Sequence, residues 1–372
     1  MRTTSISRAC ALALLCAILA GGCGEAWNNP YPASGAADRS LYTSFTERPK
    51  YLDPAKSYSE DEAEFNSQVY EPPFQYHYFK RPYELTAATA LEIPRPRYLD
   101  AQGRELAPDA AATDIATSVY DIRIRAGIRY APHPAFIDTN RGLTRAQIAP
   151  RYTLADFGAG ATRELTAADY VYEIKRLAHP KINSPIFGHM ADYIVGLQEY
   201  GELLKRESTK LEAERGRDAW LDLRKFELSG VRALDATTYR ITVKGKYPQF
   251  LYWMAMPFFA PIPWEADEFY AQAGMAEKNF SFNWYPVGTG PYMLTENNPN
   301  ARMVLERNPH FRGEPYPSEG EAGDREAGLL ADAGKSMPFI DRIVFSREKE
   351  AIPAWNKFLQ GYYDKSGIAS DN

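Results

Sequence analysis

Cysteine is nearly missing from this sequence: of 372 residues only Cys10, Cys16 and Cys23 carry a thiol, all within the first 23 positions. No disulfide framework can therefore staple the remaining chain. Positive charge is also in deficit, with 43 Lys and Arg against 48 Asp and Glu, a net of -5. Nucleic acid is excluded as a partner class, because phosphate binding needs a basic excess. Histidine is sparse; His77, His133, His179, His189 and His310 are scattered without the H-E-x-x-H spacing of a metal site. No G-x-S-x-G elbow, Walker A loop or G-x-G-x-x-G fingerprint occurs, so no cofactor is expected and nothing argues for an enzyme. Beyond the first twenty residues there is no long apolar run, which excludes a protein of many membrane spans.

What is present begins at the N-terminus. Arg2 and Arg8 precede an apolar stretch from Ala9 to Ala20, then Gly21, Gly22 and Cys23. The stretch is too short for a permanent span and reads as a secretory signal. Small residues directly before a cysteine resemble the lipobox of bacterial lipoproteins, which implies lipidation of Cys23. The match is imperfect, since Ala20 stands where a large aliphatic residue is usual, and ordinary signal cleavage is the alternative. Cleavage would leave Cys23 as the one remaining thiol, and a lipidated thiol escapes the oxidation that a free exported one invites. Removing residues 1–22 takes away two arginines and leaves a net charge of -7. Residues 23–40, rich in Gly, Pro, Ala, Ser and Asn, read as a flexible tether, with folded structure from Leu41.

Aromatics are abundant, at 25 Tyr, 18 Phe and 6 Trp. A large aromatic core and aromatic-lined surfaces both accommodate that number. Alternation marks strands at Tyr120–Ile124, Tyr239–Val243, Met303–Leu305 and Ile340–Phe345. Thr166 with Asp169 forms a capping-box pattern, and Tyr170, Val171, Ile174, Leu177 and Ala178 fall on one face of a helix ending before Pro180. A charged stretch from Gly201 to Phe226 predicts an outer helix or helical hairpin broken near Gly216. Residues 131–164 and 312–337, rich in Gly, Pro and charge, read as surface insertions. Strands and helices without regular alternation predict an α/β fold of the mixed α+β kind.

The run Pro286-Val287-Gly288-Thr289-Gly290-Pro291-Tyr292, followed by Leu294 and Val304-Leu305-Glu306-Arg307-Asn308-Pro309 with Phe311, resembles a signature of the bacterial extracellular solute-binding proteins of family 5. These are the oligopeptide and dipeptide receptors of ABC importers. Further landmarks follow in the family's order. Tyr51-Leu52-Asp53-Pro54 resembles its first-strand "LDP", and Val69-Tyr70-Glu71-Pro72 the "YEGL" that begins its next helix. Tyr120–Tyr130 resembles its strand-turn-strand, Leu165–Arg176 its "TAEDV" helix, and Pro338–Asp341 the crossover toward a second lobe. The "HDG" step is missing, and the sequence stops at Asn372, just past the crossover.

The resemblance implies a class II periplasmic-binding-protein-like lobe over residues 41–345, with 346–372 starting the crossover and the second lobe largely missing. It implies a substrate-binding lipoprotein, held to a bacterial membrane outside the cytoplasm, that hands peptides to ABC permease subunits as a monomer. Peptide capture by strand addition, inside a clamp closed by hinge bending, suits broad specificity. Carried over by motif, the ligand-binding segment is Arg48, Pro49, Lys50 and Tyr51. Pro49 can offer only its carbonyl to such a ladder. Arg48 or Lys50 could meet a ligand carboxylate, although a solvated basic residue is the more ordinary reading of each. A receptor for another solute, such as a glycan fragment, and a secreted hydrolase are the alternatives.

Overall fold

The computed structural model describes residues 30, 31 and 39–368. The expected signal peptide, Cys23 and nearly all of the tether lie outside the described residues. In chain order the elements are β1 (Ser40–Phe45), α1 (Glu60–Val69), β2 (Phe74–Tyr76), β3 (Leu85–Ala87), β4 (Arg97–Leu99), β5 (Glu105–Leu106) and β6 (Thr117–Arg123). Next come α2 (Arg145–Ile148), α3 (Ala167–Leu177), α4 (Phe187–Tyr193), α5 (Leu197–Arg215), β7 (Val231–Ala233) and β8 (Thr238–Lys244). The remainder is α6 (Phe250–Trp253), α7 (Trp264–Tyr270), β9 (Tyr292–Asn298), β10 (Arg302–Arg307), β11 (Glu314–Pro315), β12 (Ser336–Met337), β13 (Arg342–Arg347) and α8 (Ala351–Leu359).

Two sheets organise the chain. An antiparallel sheet runs β5-β4-β6-β8-β7, and a mixed one runs β1-β13-β10-β9 with β1 parallel to β13. In the first, Ile122 lies opposite Tyr239 and Tyr120 opposite Ile241, so the apolar residues of both strands share one buried face. One residue along, Asp121 faces Arg240 on the other side and accepts two hydrogen bonds from its guanidinium, at 2.6 and 2.8 Å. Helix α3 covers the apolar face, stacking Tyr170 on Tyr239 with ring centroids 5.0 Å apart. Its N-terminus is closed as the capping pattern predicts, the Thr166 N–H donating to Asp169 at 2.9 Å.

The expected strands appear within a few residues of their predicted bounds, and the fold is the mixed kind expected. Other expectations needed correction. β1 ends at Phe45, so Tyr51–Pro54 follows that strand instead of forming part of it. Val69-Tyr70-Glu71-Pro72 closes α1 rather than beginning a helix, because the paired prolines at 72 and 73 cannot continue one. The charged helix starts earlier than expected, at Leu197, and breaks where expected, at Gly216, whose positive φ of +87° ends it after Arg215. Residues 131–164 hold α2 and several single helical turns, and 312–337 is pinned at its base by the β11–β12 pair.

Candidate functional site

The segment after β1 is shaped by one carboxylate. Glu62, buried in the first turn of α1, accepts four backbone hydrogen bonds. Its Oε1 takes the N–H groups of Lys50 (3.2 Å) and Tyr51 (2.8 Å), and its Oε2 those of Tyr58 (2.9 Å) and Ser59 (3.2 Å). A carboxylate at a helix N-terminus is favoured there by the helix dipole and by the unpaired N–H groups of the first turn. The pattern Ser59-x-x-Glu62 is a capping-box signal in the sequence; that the same group also gathers residues 50 and 51 is a tertiary fact.

Beneath this loop the Asp53 turn is locked to α3. Asp53 receives both terminal nitrogens of Arg176, at 3.0 and 2.7 Å, and Arg176 also donates to Glu173 at 2.8 Å and Asp267 at 3.3 Å. Asn283 Oδ1 accepts the N–H groups of Leu52 and Asp53, each at 3.2 Å, while the Tyr70 hydroxyl donates to the Leu52 carbonyl at 3.1 Å. Three carboxylates therefore surround one buried guanidinium. Burial pushes the Glu173 carboxyl well above its ordinary value despite Arg176. Burial works on Asp267 in the same direction, but Arg176 and hydrogen bonds from Tyr172 and Trp220 hold it below its ordinary value.

Next to this anchor lies an open cleft of about 550 Å³, whose lining includes the basic Arg48, Lys50 and Lys56, the acidic Glu47, Asp61 and Glu62, the rings of Tyr51 and Tyr58, and Ile182, Asn183 and Pro185. Three of the four residues expected to bind ligand thus share one cleft; Pro49 lies between them in sequence and does not line it. Tyr51 is 43% exposed, and the Lys56 ammonium sits 5.7 Å from its ring centroid. Among the described residues, neither Arg48, Lys50 nor Lys56 makes an ion pair with an acidic side chain. The backbone of this segment is one-sided. Glu62 occupies the N–H groups of Lys50 and Tyr51, and Pro49 has none, so from Pro49 to Tyr51 only carbonyls stay open.

The glycine signature plays a structural part here. A Cβ at Gly288 would stand 2.0 Å from the Val69 carbonyl oxygen, and one at Gly290 would stand 2.6 Å from it. Gly290 N–H donates to that oxygen at 2.9 Å, and the Asn308 amide donates to the Gly290 carbonyl at 2.9 Å. The Gly-Thr-Gly and Arg-Asn-Pro parts of the signature are thus joined at the end of α1. The family profile described as "Bacterial extracellular solute-binding proteins, family 5 Middle" matches residues 157–371, more than half of the chain. The chain belongs to family 5 of the bacterial extracellular solute-binding proteins. The expectation of a binding protein rather than an enzyme stands with that membership.

Among curated relatives, the periplasmic oligopeptide-binding protein OppA of Salmonella typhimurium is 31% identical over 155 residues, covering 40% of this chain and 23% of that one. The nickel-binding periplasmic protein of Escherichia coli is 35% identical over 104 residues, covering 27% and 18%. The solved structure of Listeria monocytogenes OppA bound to peptide shares the fold, with a TM-score of 0.55 at 13% identity over 90% of this chain and 47% of that one. The chain thus spans about half the length of this solved relative. Glu62 and Arg176, which shape the cleft and its anchor, were not singled out in the sequence as site residues. Only the capping-box spacing pointed to the first.

Proposed function

We propose that this chain is the peptide-capturing lobe of a lipid-anchored receptor that serves an ABC importer. The observation that carries the reading is the cleft itself: Arg48, Lys50 and Tyr51 line it, with backbone carbonyls open between residues 49 and 51. An extended ligand lying along these residues has to supply N–H donors, which a peptide backbone does at every residue other than proline. Arg48, Lys50 and Lys56, which make no ion pair with the Glu47 and Asp61 that share the cleft, suit the carboxylate end of such a ligand, and exposed Tyr51 and Tyr58 offer sequence-tolerant contacts to its side chains. Family membership and the peptide-bound Listeria relative support the same reading. In it, Cys23 carries the lipid, residues 23–40 span from membrane to lobe, and the permease subunits receive the cargo.

Native mass spectrometry of the protein taken from its host's membranes tests this. We expect a lipid-bearing N-terminus at Cys23 and peptides released on activation. A retained glycan, metal complex or other solute in place of peptide would overturn the peptide reading and leave family membership standing. With a bound peptide identified, Tyr51→Ala should weaken its affinity about tenfold, roughly 1.4 kcal/mol. Unchanged affinity by calorimetry would remove this segment from the site.

A further inference from the structure

The outer face of the five-stranded sheet, the one turned away from α3, gathers arginine. Arg240 in β8 lies opposite Asp121 in β6 on one side and opposite Arg232 in β7 on the other. Directly opposed residues of antiparallel strands point to the same face, with Cα atoms about 5 Å apart. Arg97 in β4, in register with Val119, belongs to that face too. Its guanidinium stands 3.6 Å from Asp121 and 3.6 Å from Glu105. Three arginines thus meet two carboxylates, and one positive charge is left over.

That charge belongs to Arg232. Asp121 takes two hydrogen bonds from Arg240, at 2.6 and 2.8 Å, and Glu105 pairs with Arg97. Arg232 is exposed, forms no ion pair and donates no side-chain hydrogen bond among the described residues. It is nevertheless within electrostatic reach of the cluster. Hydrogen bonds from Arg240, helped by the charges of Arg240, Arg97 and Arg232, hold the Asp121 carboxyl below its ordinary value against the cost of burial. Like charges directly opposite one another destabilise a sheet. The Arg232–Arg240 pair carries that cost on an edge strand, and an anion between the two guanidinium groups removes it.

A groove of about 390 Å³ opens at this pair, its lining including all three arginines together with Glu105, Ser229 and Thr242. It has no lining residue in common with the cleft at Tyr51. Arg240 spends Nε and one terminal nitrogen on Asp121, and its other terminal nitrogen has no acceptor among the described residues. The Ser229 and Thr242 hydroxyls likewise have no hydrogen-bond partner among them. Open guanidinium and hydroxyl donors in one groove select an oxyanion. A phosphate group carries more acceptor oxygens than a carboxylate does, so it can take guanidinium and hydroxyl donors at once. Glu105 opposes any anion, and its ion pair with Arg97 limits that effect.

We propose that this groove on the outer sheet face binds a phosphate group, carried by a small phosphate ester or by a lipid headgroup, with Arg232 and Arg240 as its guanidinium clamps. The like-charged pair then has a role, since the phosphate separates two charges that otherwise repel.

Calorimetric titration of the whole chain tests the site, at an ionic strength held constant with chloride. The probes are inorganic phosphate, glycerol phosphate and dihexanoylphosphatidylglycerol, a soluble short-chain lipid. We expect saturable binding that Arg232→Gln and Arg232→Glu each weaken about tenfold or more. In chloride alone, Arg232→Gln should unfold at the parent's urea midpoint or above it, because it removes a like-charge pair. Phosphate should raise the parent's midpoint and leave the variant's in place. A preference for the lipid over glycerol phosphate assigns a headgroup, and the reverse preference a soluble ester. Two outcomes would overturn the proposal: no binding of any of these probes, or binding by both Arg232 variants as tight as the parent's.

Discussion

Arg176 shows how one side chain can hold a loop in place from below. Its guanidinium, 1% exposed, ties α3 to the Asp53 turn, to Glu173 one helical turn back, and to Asp267 in α7, and it lies 4.7 Å from the Phe282 ring centroid. An isolated buried charge is costly, but this one has carboxylate partners on several sides and an aromatic face below it. Replacing it with Met would leave Asp53 and Asp267 without their cation. We expect Arg176→Met to lower stability by about 3–5 kcal/mol in urea unfolding. Because the Asp53 turn directly precedes Lys56 and follows Tyr51, ligand affinity should fall as well. A midpoint within error of the parent's would mean that the network contributes no net stability. Glu62 does for backbone N–H groups what Arg176 does for carboxylates, and together they give the loop from residue 48 to 59 its shape.

At the scale of elements, the decisive contact is that of the Gly288–Gly290 run with the last turn of α1. A sequence rich in glycine invites the reading of a phosphate cradle, but the space is filled by the chain's own Val69 carbonyl. Gly288→Ala forces that carbonyl or the run itself to move, because 2.0 Å is far inside any real Cβ contact. We expect a loss of about 3 kcal/mol, read as a fall in Tm. Gly188→Ala is the matched control. It lies in α4 with nothing within 4 Å of the added methyl, and alanine is the better helix former by up to about 1 kcal/mol. Should both variants melt alike, close packing is not the reason for glycine at 288.

Taken whole, the molecule holds His133 and His179 in desolvated surroundings that favour the neutral ring, which couples its stability to pH. Burial lowers His133 to about 3 and His179 to about 4. His133 Nδ1 accepts the Ala135 N–H, so its proton sits on Nε2, directed at the Tyr270 hydroxyl, which donates in turn to the Tyr285 carbonyl. In the unfolded chain both rings take up protons near pH 6.5. As pH falls below that value the unfolded state binds more protons than the folded one, so stability is lost, at up to about 1.4 kcal/mol per pH unit for each ring. Glu173, whose carboxyl is raised, works in the opposite sense: its contribution is present in acid and lost as pH rises through its folded value. The contribution of His133 is isolated by difference. His133→Gln should flatten the stability profile between pH 6.5 and pH 4, and parallel profiles for parent and variant would sink the assignment.

Much of this protein was legible in its residues alone. Alternation placed β6, β8, β10 and β13, because a strand with one buried face writes its period of two into the sequence. Thr166 and Asp169 marked the start of α3, since capping is local chemistry. The ordered motifs pointed to the family that the profile match established. Other features depended on distant partners. Helix α1 carries a weak apolar pattern, so it was not foreseen, and the helix boundary at Val69–Pro72 was assigned the wrong way round. No spacing rule brings Glu62 to Lys50 and Tyr51, or Arg176 to Asp53, 123 residues away. Local periodicity and capping are properties of short stretches, and the sequence determined them by itself. Which backbone acceptors remain open in the cleft, and which distant carboxylate takes up the neighbouring donors, depends on how those stretches pack, and only the tertiary structure decided that.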